Sequence, residues 1–311
     1  MGIGLIFPGQ ASQFSGMGKE LYDDSPVARA VFEEASEALS MDLAALCFTG
    51  TEEALRMTEN TQPAIFTVSV AAFRVLDAEL SLSPVCVAGH SLGEYSALVA
   101  AGVFSLRDAV RVLRSRGRYM QEAVPVGEGA MAAIMGLSAE AVEAVCASVA
   151  GQGIVSPANF NGGDQVVISG SADAVKAACE AGKAAGAKRA LPLPVSAPFH
   201  CALMKPAADR LAPELSAMPQ GTFRFPVVAN VTGECYSDGI PAWEFLARQI
   251  ASPVRWEASV RAMRALGASA FIEVGPGKVL SGLVKRIERE AVTAAFSKPS
   301  DMEGVRTALS A

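Results

Sequence analysis

Three side chains in this sequence have the types and settings to do chemistry together: Ser91, His200 and Arg116. Ser91 lies in Gly89-His90-Ser91-Leu92-Gly93, which matches G-x-S-x-G, the turn that lifts a serine hydroxyl onto a strand-to-helix corner. Side chains at the two glycine positions would collide as strand and helix fold back on each other. The N–H of Leu92, just after the serine, opens the helix and can point at a developing oxyanion. A turn of small residues without chemistry carries the same pattern. The apolar strand expected at 85–88 and the helix at 92–101, closed by Gly102, favour the nucleophile.

A serine nucleophile needs a base, and the chain holds two histidines, His90 and His200. His90 adjoins the serine on a sharp turn, where consecutive side chains diverge, so it packs below or beside the corner. His200 sits in a loop far along the chain, as a base brought in by the fold would, and is the favoured base; its structural alternative is a buried or helix-capping histidine. Between Ser91 and His200 the carboxylates lie mostly on helix faces or in the insert, and none stands in a clear loop after a strand to complete a triad. The imidazole's orienting partner therefore stays open: a backbone carbonyl or an amide could serve.

Arg116 is marked by its position on a helix. Arg107, Arg111, Arg114 and Arg118 are spaced 4, 3 and 4 residues apart and predict one solvated face of a helix at 106–122, opposite Ala109, Val112, Leu113 and Met120. Arg116 falls on the apolar stripe. A guanidinium aimed inward needs an anion, either an internal carboxylate or the carboxylate of a substrate held bidentately.

The elements that must position these groups read as α/β. A strand at 2–7 runs into Pro8-Gly9-Gln10. Helices follow at 26–39, with Ser25 as N-cap and Pro26 at its first position, at 51–58, and from Gln62-Pro63 to about Leu80. The strand at 85–88 and the serine corner come next, a strand–helix–strand order that implies a parallel sheet. From 130 to 195 the pattern becomes strand, helix, strand, strand, helix, strand, with a polar turn at 161–164, which is the ferredoxin-like arrangement. The chain is thus divided into a large part at 1–127 and 197–311 and a small insert at 128–196. The return begins with a loop at 196–200. Further elements are a helix at 201–218, a strand at 223–231, helices at 243–250 and 257–266, a strand at 270–274 ending in Gly275-Pro276-Gly277, a helix at 279–290 and a strand at 292–296.

Composition bounds the function. With 51% apolar and 19% charged residues over 311 positions, the chain can bury a large core. A net charge of −6 argues against general nucleic-acid binding. No stretch is long and apolar enough to span a membrane, and the first ten residues lack the pattern of a signal peptide. The six cysteines show no C-x-x-C and read as reduced thiols of a cytoplasmic protein. No metal site is expected from two histidines.

The residues also carry a resemblance. FPGQASQ at 7–13, TQPAIF at 61–66, GHSLGEYSAL at 89–98, RGRYMQEAVP at 116–125, GAMAAIMGL at 129–137, APFHCALM at 197–204, QIASPVRW at 249–256 and EVGPGKVLSGL at 273–283 are similar, in this order, to the malonyl-CoA:acyl carrier protein transacylase family. The resemblance implies a large α/β-hydrolase-like subdomain with a ferredoxin-like insert. It implies that Ser91 takes a malonyl group as an ester, that His200 is base and then acid, and that Arg116 holds the malonyl carboxylate. The N–H groups of Gln10 and Leu92 would form the oxyanion hole, and the carbonyl of Gln249 would orient the histidine. Gln62, His90, Asn159 and Phe199 would line the substrate pocket. Phe199, where several bacterial members carry serine, resembles malonyl-selective domains of polyketide and fatty acid synthases.

No bound cofactor is expected; malonyl-CoA and phosphopantetheinyl acyl carrier protein would be the substrates. The carrier would be an acidic, transient partner of a monomer, docking on the arginine face of 106–122 or on Lys278, Lys285, Arg286 and Arg289. The rival readings are a stand-alone acyltransferase of a polyketide or other specialised pathway, a serine esterase or thioesterase, and a non-catalytic carrier-docking subunit.

Overall fold

In the computed structural model, which describes residues 2–195, 197–237 and 239–310, apolar runs with few charges form a central parallel sheet. Its strands are β1 (Gly2–Phe7), β2 (Cys86–Gly89), β7 (Val227–Val228), β8 (Ala268–Val274) and β9 (Val292–Phe296), in the order β7-β2-β1-β8-β9. All pairings are parallel. Helices cover both faces, so β2 and β7 are fully buried and most of β1 and β8 is, while the edge strand β9 is half-buried except at Phe296. Helix Thr58–Leu80 is apolar nearly all round and runs through the core, with Phe73 edge-on to Phe7 of β1 at 6.2 Å.

The second sheet is antiparallel: β3 (Gly129–Met135), β4 (Val155–Gly162), β5 (Gln165–Ser171) and β6 (Arg189–Pro192), ordered β4-β5-β3-β6. Helices Ala139–Ser148 and Ala172–Ala184 complete the βαββαβ arrangement over a separate apolar cluster. The protein is an α/β fold of a parallel-sheet part and a ferredoxin-like part. The parts meet where β4 hydrogen-bonds the segment before Trp256: Phe160 N–H donates to Val254 O and Val254 N–H to Ala158 O, both at 2.9 Å. That seam fixes Asn159 at the cleft between the two parts.

Several expected elements differ, each for a local reason. The helix expected from Gln62-Pro63 begins at Thr58, with Pro63 inside it. A proline there leaves the carbonyl four residues earlier without its helical donor, and Arg114 Nη1 supplies one to Glu59 O at 2.9 Å. The expected strand at 223–231 contracts to Val227–Val228. Arg224 N–H is drawn to Ala101 O on one side, and Ala229 turns back onto Glu234 on the other. The helix expected at 201–218 starts as a 3-10 turn, Ala202–Met204, and becomes α-helical over Lys205–Ser216. Just before it, His200 takes φ 60°, a left-handed turn that no helix continues. Ser196, the first residue of the expected loop, lies outside the described residues.

Short helices at Lys19–Asp24 and Leu43–Thr49 and the terminal helix Met302–Ser310 were not anticipated. Their lengths of six, seven and nine residues give little periodicity to read.

The arginine row of helix Leu106–Glu122 is only partly solvated. Arg107 pairs with Glu37 at 2.7 Å, Arg111 Nε donates to Ala38 O at 3.0 Å, and Arg114 bonds Glu59 O and Asn60. These arginines bind neighbouring helices: Arg107 through a carboxylate, Arg111 through a carbonyl in the last turn of helix Pro26–Leu39, where the dipole favours a cation, and Arg114 through the carbonyl that Pro63 leaves free. Arg118 stays exposed beside the Tyr119 ring.

Candidate active site

The carboxyl ends of β1, β2 and β7 converge at one edge of the parallel sheet, where ligands bind in open α/β sheets. β2 leads into the corner that carries Ser91, at φ 54°. A non-glycine residue in this region costs on the order of 1–3 kcal/mol and needs support. Asn230, beyond β7, supplies it: its Oδ1 accepts the Ser91 N–H at 2.7 Å and its Nδ2 donates to Gly89 O at 2.7 Å. The corner also depends on its glycines. A Cβ on Gly89 would sit 1.9 Å from Gly93 O, and one on Gly93 would sit 2.2 Å from Phe7 O of β1.

Ser91 Oγ lies 2.7 Å from His200 Nε2. His200 Nδ1 lies 2.9 Å from Gln249 O. A carbonyl only accepts, so Nδ1 carries the proton and Nε2 turns its lone pair to the serine. His200 is buried, and burial together with the Arg116 charge holds its pKa down to about 3. The imidazole is therefore neutral, and able to accept a proton, throughout the neutral range.

The unfolded chain, with an ordinary value of 6.5, binds the proton more tightly than the fold does. The stability this group contributes is present above about 6.5 and is lost progressively as pH falls toward about 3. In imidazole ¹⁵N spectra, which contain only two histidines, His200 is expected to remain the neutral Nδ1–H tautomer at pH 5. Half-protonation near pH 6.5 would overturn that assignment.

Arg116 is 1% exposed. Gly117 lets its helix approach helix Thr58–Leu80 so closely that a Cβ there would lie 2.6 Å from Glu59 Cα. The guanidinium donates to Gln62 Oε1 at 2.8 Å, Gln249 Oε1 at 2.8 Å and Ser91 Oγ at 3.1 Å, and lies 5.6 Å from the Tyr95 ring centre. Among the described residues no carboxylate lies within 4.0 Å of it, and its Nε has no partner. Burial lowers its pKa, while the negative charge of nearby Glu94 works in the opposite sense.

The cleft over these groups has a volume of about 130 Å³ and is walled by Gln10, Gln62, His90, Asn159, Phe199 and Met131, among others. Such a space is well below the ~300–1,000 Å³ of sites for drug-sized ligands. It suits a short acyl group.

The register Phe7↔Gly89 sets β1 against β2, and Gln10 and Leu92 each follow three residues beyond. Among the described residues neither the Gln10 nor the Leu92 N–H has a hydrogen-bond acceptor. Both donors remain unspent at this edge. His90 turns away from the serine: its Nε2 lies 3.0 Å from Asn161 Oδ1 and its ring 5.6 Å from Trp256. The structure thus brings Ser91, His200, Arg116, Gln249 and Gln62 into direct contact and sets Gln10, His90, Asn159 and Phe199 around them.

Sequence reasoning missed Asn230, Glu94 and Tyr236. Glu94 is an acid in an otherwise apolar helix, Gly93–Ala100, and Asn230 ends the apolar run that forms β7; both oddities were available in the sequence. Among the described residues no cluster of His, Cys, Asp and Glu could hold a metal ion, and no helix is long and apolar enough to cross a membrane.

Comparison with known proteins agrees with this geometry. Residues 5–302 match the family described as acyl transferase domain. The chain is 50% identical to the malonyl CoA-acyl carrier protein transacylase of Bacillus subtilis (strain 168) over 97% of its length and 95% of the relative's. It is 51% identical to that of Escherichia coli (strain K12), over 96% of both chains. The crystal structure of an acyl carrier protein S-malonyltransferase from Vibrio cholerae superposes with a TM-score of 0.95 at 48% identity, covering 98% of this chain and 100% of that one. A malonyl-transacylase solved in complex with its type II polyketide acyl carrier protein also gives a TM-score of 0.95, at 47% identity, over 100% of this chain and 99% of that one. With its serine corner, its buried arginine and these full-length relatives, the chain belongs to the acyl transferase family, among the malonyl CoA-acyl carrier protein transacylases.

Proposed function

We propose that this protein moves a malonyl group from coenzyme A to the phosphopantetheine thiol of an acyl carrier protein through a covalent ester on Ser91, in fatty acid biosynthesis. The observation that carries this reading is Arg116. A buried guanidinium with no carboxylate within 4.0 Å among the described residues donates to the nucleophile's own oxygen. A cation there is of little use to a neutral acyl chain and suits an acyl group that ends in a carboxylate.

The mechanism follows from the contacts. The malonyl carboxylate takes up N–H groups of Arg116, which frees Ser91 Oγ from its 3.1 Å contact with that side chain. The Oγ attacks the thioester carbon as its proton passes to His200 Nε2. The imidazolium so formed is held through Nδ1–H by Gln249 O, and a backbone carbonyl does here what an acid does in a triad. The N–H groups of Gln10 and Leu92 stabilise the oxyanion, by about 3 kcal/mol each. The coenzyme A thiolate departs and takes the proton from His200. The carrier's thiol then enters, gives its proton to His200 and attacks the ester, and Ser91 Oγ leaves as His200 Nε2 returns the proton to it. Met131 and Phe199 give the cleft apolar walls, which offer a competing water no hydrogen-bond partner on that side.

The carrier binds as an acidic, transient partner. Among the described residues Lys278, Lys285 and Arg289 form no ion pair, and Arg286 donates only to Gln165 Oε1, so this late helix offers the freer cations. The first three arginines of helix Leu106–Glu122 are already engaged. The protein acts as a cytoplasmic monomer without a resident cofactor.

Brief exposure to malonyl-CoA followed by mass spectrometry of the peptide containing Ser91 tests the reading. A malonyl ester on Ser91 that disappears on addition of phosphopantetheinylated carrier supports it. An unmodified Ser91 rejects it.

A further inference from the structure

The buried cation in the cleft has an internal counter-charge that reaches it through an amide. Glu94, three residues after the nucleophile, is 0% exposed. Its Oε1 accepts from Tyr236 Oη and from the Asn230 N–H at 3.3 Å, and its Oε2 accepts from Gln249 Nε2 at 2.7 Å. Three donors converging on one carboxylate is the setting of an acceptor-only anion. Gln249 then passes the polarity on. Its Oε1 accepts from Arg116 Nη2 at 2.8 Å, and its Nε2 also donates to Ser91 O at 2.8 Å. The amide is bracketed: a carboxylate demands the NH₂ on one side, and a guanidinium demands the oxygen on the other. Rotated by half a turn, it would face oxygen to oxygen and N–H to N–H.

We infer that Glu94 is a positioning residue for recognition of the acyl carboxylate: through the Gln249 amide it fixes the orientation of Arg116 and, in its ionised form, supplies a buried counter-charge to it. The inference deepens the malonyl reading and rests on it. The relay acts on Arg116 more than on the nucleophile. The network also touches the corner, through Gln249 Nε2 on Ser91 O and the Asn230 N–H on Glu94, but His200 is held by the Gln249 backbone carbonyl, which does not depend on the side-chain amide. Glu94 therefore bears on which acyl group the site accepts.

The test is a double-mutant cycle on the intact protein, with Ser91 malonylation by malonyl-CoA as one readout and inactivation by a neutral serine-directed sulfonyl fluoride as the other. In Glu94→Gln the new side chain keeps its shape but turns an NH₂ toward that of Gln249. Malonylation is expected to fall by about 10–100-fold, the coupling expected of groups in one hydrogen-bonded network. Inactivation by the neutral reagent should fall much less than malonylation does.

In an Arg116→Ala background the same substitution should change malonylation little, because the group it orients is gone. Equal losses with both reagents, or additive losses in the two backgrounds, would overturn the inference. If Glu94→Gln does not fold, Tyr236→Phe, which removes one donor and keeps the carboxylate, replaces it in the cycle with a smaller effect in the same direction. Absence of a malonyl ester in the unsubstituted protein would overturn the functional reading and the inference with it. An ester that forms normally in Glu94→Gln would overturn the inference alone.

Discussion

Replacing Ser91 with alanine is expected to lower malonyl transfer by about 10⁶-fold, the size of loss found when the nucleophile of a serine hydrolase is removed. The size follows from the reaction order. In the proposed reaction coenzyme A and the carrier use the same narrow cleft in turn, and the acyl group is stored on Ser91 between the two thiols. Without Oγ there is nowhere to store it, and the oxyanion donors have no intermediate to stabilise.

The fold should tolerate the change. The φ of 54° at this position is set by the strand–helix corner and by Asn230, and neither depends on the hydroxyl. The loss of Oγ removes an acceptor from Arg116 and a partner from His200. A steady-state transfer assay, with circular dichroism as a check on folding, measures both effects. Transfer above one per cent of the original rate would place the acyl-carrying group elsewhere.

Arg116→Ala has the second largest expected effect, and its signature is selectivity. Removing one partner of a buried, hydrogen-bonded charge pair costs about 2–5 kcal/mol, so malonyl transfer should fall by roughly 30- to 5,000-fold at 1.4 kcal/mol per factor of ten. A neutral acyl thioester such as acetyl-CoA loses no such contact and should be transferred with a much smaller change. Competition between malonyl-CoA and acetyl-CoA reads the ratio directly. Equal losses for both would favour the esterase reading, in which the cation does not serve the acyl group. The substitution also removes one of the causes that hold His200 down to about 3, so the imidazole pKa should move up in the same variant. Glu94, already raised to about 7 by burial, loses a nearby cation and moves further up.

Much of this site was legible in the chain. The G-x-S-x-G corner is local chemistry, because the glycines that permit it and the serine it presents stand within five residues. Arg116 was legible because helical periodicity assigns each position a side, and a charge on the apolar side is a visible exception. The βαββαβ order of the insert was legible for the same reason: each element declares its own period. Where two segments compete for one backbone group, periodicity is silent. Pro63 stands inside a helix because Arg114 takes up a carbonyl freed there. The strand expected at 223–231 shrinks because its flanks are drawn to Ala101 and Glu234.

The sequence by itself picked out residues that the structure brings together: a serine in a glycine-bounded corner, a distant histidine suited to be its base, and an inward arginine that calls for an anion. The tertiary structure decided how they are held. Asn230 secures the corner from 139 positions away, and Glu94 meets Arg116 only through Gln249, which lies 155 positions beyond it. Hydrogen bonds of that kind are directional and short-ranged, so the residues that satisfy a buried group are fixed by where the sheet edge brings the chain back and leave no period in the sequence.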